Sequence, residues 1–138
     1  MSAIRSPRKK YFTAEQANAM LPLLRLILRD IVGLARTLRE QNRRLARMQE
    51  TETATADEMD SAMAEAEAIQ DQLRPHLEEL EQLQVELKDP LTGLVDFRAR
   101  KEGREVYLCW RLDEPAVAHW HELDAGFAGR RKLTVPAR

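Results

Sequence analysis

The spacing of apolar residues changes once along this chain, and that change divides it into a helical part and a stranded part. Ala17, Leu24, Ile31, Leu38 and Leu45 form a heptad row, with Met20, Ile27, Leu34 and Met48 between them. Leu21, Leu28 and Ala35 widen that row beyond a bare coiled-coil seam. A second row runs Met59, Met63, Ala66, Ile69, Leu73, Leu77, Leu80, Leu83 and Leu87. Past Asp89-Pro90 the period becomes two. Val106, Leu108, Trp110 and Leu112 alternate with Tyr107, Cys109 and Arg111, and Leu94-Val95-Asp96-Phe97 is a shorter candidate strand.

Local signals set the boundaries. Thr13 followed by Gln16 matches a capping box, and Thr55 with Glu58 repeats it at the start of the second helix. Pro22 predicts either a kink or a short first helix followed by a long one, and Pro75 predicts a second kink. Pro90 is expected to end the second helix, because proline holds the residue before it extended. Gly103 suits a hairpin turn between the two strands. Residues 117–121 read as a third strand, with a short helix as the alternative; the strand places His119 and His121 on one face. The expected fold is therefore α+β: a long, kinked, antiparallel helical hairpin followed by a small antiparallel sheet of two to three strands. One domain spans 1–138, with a basic tail over 1–12, the hairpin over 13–88, the β part over 89–130 and a second basic tail over 131–138.

A formal net charge of -1 argues against general attraction to nucleic acid or an anionic membrane. No apolar run approaches the roughly 20 residues of a membrane-spanning helix, and the N-terminus lacks the apolar centre of a secretion signal. A single cysteine forms no internal disulfide, which fits a reducing compartment, so a cytoplasmic protein is expected. Arg25, Arg29, Arg36, Arg39, Arg43, Arg44 and Arg47 on the first long helix face an acidic second helix in this reading, as a charge-matched hairpin. The wide apolar stripe predicts a homodimer through the helices, and the basic ends leave nonspecific phosphate contact as the minor case.

Several segments are familiar. KYFTAEQANAMLPLLR, VELKD, GLVDF, VYLCWRL and HWHELDAGFAGR resemble a bacterial family catalogued as domain of unknown function 2203. The resemblance covers nearly the whole chain. It implies a small protein with a helical front and a motif-rich rear, and no activity comes with it. It implies that His121 occupies the histidine position of the last motif and His119 a variable one. Arg98 stands where many members are expected to have proline.

The rear half concentrates groups that carry chemistry. Glu86, Asp89, Asp96, Cys109 and His121 offer carboxylate, thiolate and imidazole, the ligand types of zinc or iron sites. No CxxC pair or HExxH spacing accompanies them. The plainer reading makes Asp89 a turn cap, Cys109 a small apolar residue and His121 a locally bonded one. Cys109, His121 and Asp96 also have the identities of a nucleophile, base and orienter, but apolar neighbours raise a thiol pKa and oppose that role. Gly126, Gly129 and Arg130 form a turn that could take a phosphate or other small ligand, although ordinary turn chemistry explains it as well. His76 borders the helical stripe as a spacer. Two functions remain: a non-enzymatic interaction or scaffold protein assembled through the hairpin with a protein partner, or a metal- or ligand-binding protein, an enzyme included, with its site where the second helix meets the sheet.

Overall fold

The computed structural model describes residues 8–134. Three helices come first: α1 (Ala14–Ala19), α2 (Leu21–Thr51) and α3 (Ala56–Leu83). Five strands follow: β1 (Val85–Asp89), β2 (Leu94–Lys101), β3 (Arg104–Arg111), β4 (His119–Glu122) and β5 (Arg131–Lys132). They form one antiparallel meander in chain order. The fold is α+β, with five strands rather than two or three.

Both capping boxes form. Thr13 accepts from the Gln16 amide while the Gln16 side chain accepts from Thr13 N–H, and Thr55 and Glu58 do the same. Pro22 resolves into the second of its two readings: α1 stops at Met20, and α2 begins with the proline in its first turn, where no amide donor is needed. Pro75 does not break α3, which continues through it as one element. The two long helices pack against each other. Gln41 donates to the Ala62 carbonyl and Glu65, and Arg44 pairs with Glu65. Among the described residues that is the one ion pair joining α2 to α3, so the expected charge match is mostly left facing solvent.

The helical part ends earlier than expected. Gln84 adopts a left-handed conformation (φ 59°) after Leu83, and VELKD is an edge strand, not the last turn of a helix. The β2–β3 turn is Glu102-Gly103, both at positive φ (54° and 79°), the two-residue geometry that matches strand twist. Of the expected third strand over 117–121, His119 to His121 are in β4, which runs on to Glu122, while Val117 and Ala118 precede it. The two tails are corrected at their inner ends. Phe12 is buried edge-on against Phe97, its amide donating to the Arg98 carbonyl, and Arg131–Lys132 pairs with β4. The outer parts of those tails, 1–7 and 135–138, lie outside the described residues.

Strand alternation sorts the sheet into two faces. Val95, Phe97, Ala99, Val106, Leu108, Trp110 and Trp120 turn toward the helices and join Leu21, Leu24, Leu28, Ile31, Leu73 and Leu80 in one core. Burying an aliphatic or aromatic side chain there contributes about 1.5–3 kcal/mol. The opposite face carries the polar residues.

Candidate metal centre

Register brings the outward residues together. Asp96 pairs with Cys109 across β2–β3, Cys109 with His119, and Tyr107 with His121 across β3–β4. All of these lie on the face opposite the core, yet Asp96, Cys109 and His121 are each 1–2% exposed. One ligand atom from each of the three lies within 4.8 Å of the others. His121 Nε2 is 3.0 and 3.1 Å from the two Asp96 oxygens. Two ligands of one zinc ion, each about 2.0–2.2 Å from it, sit roughly 3–3.5 Å apart, so the carboxylate–imidazole spacing fits a shared ion as well as a hydrogen bond.

The orientation of His121 settles where its protons are. Nδ1 lies 2.7 Å from the Glu122 carbonyl, which only accepts, so Nδ1 carries hydrogen. Nε2 therefore points at Asp96 with one proton shared between imidazole and carboxylate. An Nδ1–H held by a carbonyl, leaving Nε2 free to ligate, is the usual arrangement of a metal-binding histidine. Burial raises the Asp96 carboxyl above its ordinary value, and the hydrogen bond from His121 works against that rise. Burial, reinforced by the charge of Asp96, pushes the Cys109 thiol up to about 12. Cys109 is thus a thiol at neutral pH unless a cation replaces its proton. It is no free nucleophile, and both nitrogens of His121 are directed elsewhere, at Glu122 and Asp96.

The family described as "Uncharacterized conserved protein (DUF2203)" matches residues 10–133. The chain belongs to this family. The match takes in all three helices, all five strands and every residue of the cluster. No curated protein and no solved structure matches the chain.

The other sequence candidates fall into separate places. Glu86 is on the same face, opposite Asp96 in register, but its oxygens are held by Tyr107, Lys88 and Arg98. Asp89 organises the β1–β2 turn, accepting from the Leu91 amide and the Thr92 hydroxyl. Gly126 caps and Gly129 ends a single 3₁₀ turn (Phe127–Gly129), where the Gly129 amide donates to the Gly126 carbonyl and the Arg130 amide to the Phe127 carbonyl. Arg130 clamps Glu114 through two hydrogen bonds of 2.9 and 2.7 Å, and its Nη1 lies 3.9 Å from Cys109 Sγ. That bidentate bond, in a half-buried setting, lowers the Glu114 carboxyl and raises Arg130.

Three participants escape a reading of the sequence. Glu114 sits in a turn and meets Arg130 only through the fold. Tyr107 tilts against His121 with ring centroids 5.5 Å apart, roofing the cluster; strand parity already placed it beside Cys109. His119 is the neighbour of Cys109 in register, and its Nδ1 is buried without a hydrogen-bond partner, 3.9 Å from Glu114. Its shared parity with His121 was the available signal.

Proposed function

We propose that this protein binds a divalent metal ion, zinc fitting best, through Asp96, Cys109 and His121. The observation that supports the reading is the convergence of three buried ligand atoms on the polar face of a rigid sheet, with His121 aimed by the Glu122 carbonyl. A mixed sulfur, nitrogen and oxygen set suits zinc better than magnesium or calcium, which take oxygen ligands. Three protein ligands leave a fourth position of a tetrahedral ion for an exchangeable ligand. An ion there would act as a Lewis acid toward whatever occupies that position. The chain's own residues do the rest: Glu122 fixes the tautomer, Tyr107 and the half-buried Arg130 limit water, and Arg130 faces the sulfur. The test is cobalt substitution. A cobalt–thiolate charge-transfer band should appear in the wild-type protein and vanish in Cys109→Ser, with both proteins equally helical. A band that survives the substitution would remove Cys109 from the site.

A second reading, assembly through the helices, rests on a different observation. Leu23 and Leu26 on α2 are 43% and 62% exposed, with no described element covering them. The corresponding proposal is a homodimer, measured by light scattering coupled to size exclusion. Leu26→Glu should return it to a monomer.

A further inference from the structure

The sheet covers only the first half of the α2 face that it packs on. Leu24, Leu28 and Ile31 lie under strands. Beyond Ala35 that face continues past the β1–β2 turn into a groove of about 600 Å³. Its walls are Leu38 and Ala46 of α2, Leu73 and Leu77 of α3, and Leu87 and Leu91 at the sheet edge. Its charged lining consists of Arg39 and Arg43, one helical turn apart, with no acidic residue. Arg39 makes no ion pair among the described residues. Arg43 touches only Glu40, at 3.6 Å with both side chains more than half exposed, an interaction that holds it weakly.

An apolar floor with a positive rim selects a ligand with an apolar tail and an anionic head. From Ala35 to Ala46 the groove follows about 16 Å of helix, room for an extended chain. A second copy fits this lining less well. A two-fold contact with its axis through the groove would bring two arginines against two arginines with no acid in the lining. We infer that this groove binds a straight-chain fatty-acid carboxylate, with the chain along Leu38, Leu73 and Leu77 and the head on Arg39 and Arg43. The site is separate from the metal cluster and does not depend on it.

The probe is dodecanoate, titrated calorimetrically into the full chain below its micelle-forming concentration, with acetate and methyl dodecanoate as controls. The expected result is one saturable site, at least tenfold tighter for dodecanoate than for either control. The double variant Arg39→Glu/Arg43→Glu should weaken binding at least tenfold without moving the melting temperature, since both side chains are exposed. Ala46→Trp should fill the groove and abolish binding. Absence of saturable binding would overturn the assignment, as would binding indifferent to the arginine pair. A wild-type dimer that Ala46→Trp splits, with no dodecanoate bound, would give the groove to a second copy instead.

Discussion

Zinc bound by this cluster, as proposed above, would expel protons. Cys109, with its thiol pushed up to about 12, is fully protonated at neutral pH. Ionising it at pH 7 costs about 7 kcal/mol, five pH units at about 1.4 kcal/mol each, and that cost must be met by the metal–sulfur bond. His121 Nε2 and Asp96 share one further proton, because Nδ1–H is already committed to the Glu122 carbonyl. An ion bound by all three groups would therefore displace about two protons, and apparent affinity should rise with pH. Calorimetry in buffers of different ionisation enthalpy reads the same number as a slope. In Cys109→Ala the count should fall to about one. A wild-type slope of one or less would mean that the thiol is not a ligand or that the proton inventory is wrong.

Other consequences follow for the metal-free protein. The folded state keeps the Cys109 proton to a higher pH than the unfolded chain does. Stability is therefore full below about pH 9 and falls between about 9 and 12, by up to about 1.4 kcal/mol per unit; urea midpoints at pH 8 and 10 should diverge, and Cys109→Ala should remove the difference. Asp96→Ala leaves the buried His121 Nε2 without its partner inside the sheet and should cost about 3 kcal/mol in urea unfolding. A loss below half a unit would mean that water replaces the carboxylate. Gly93 sits at φ +74°, and an added Cβ would lie 2.8 Å from Leu112 Cβ. Gly93→Ala should destabilise by about 2 kcal/mol, read as a lowered urea midpoint, through both strain and collision.

The change of apolar period after the helices made the α+β class legible, and the capping boxes marked the starts of α1 and α3. What stayed hidden was settled by contacts distant in sequence. Val85 and Leu87 extend the helical row of Leu80 and Leu83 as readily as they alternate, so VELKD reads as helix until Gln84 turns left-handed and β2 offers a partner. β5 is two residues long and exists only because β4 is there to bond it. Proline at position 75 lacks the amide that a helix interior uses, yet α3 runs through it as one element.

The site divides along the same line. Parity alone placed Asp96, Cys109 and the histidines on alternating positions. Their meeting required the register set by Glu102-Gly103, which puts Asp96 opposite Cys109. Asp89 has the right chemistry for a ligand but stands at a bulge where β1 leaves the ladder, and its oxygens serve the turn. Glu86 shares the face, but lies in a network of Tyr107, Lys88 and Arg98. The Glu114–Arg130 clamp spans 16 residues between two turns, and nothing local in either turn announces it.

The most direct test of the metal assignment is zinc stoichiometry by equilibrium dialysis and elemental analysis. Wild-type protein and His121→Ala would be compared at matched helical content, each purified without tag or chelator. The account predicts close to one zinc per wild-type chain and less than a tenth of that in the variant. Equal loading of the two proteins, or none in the wild type, would contradict it.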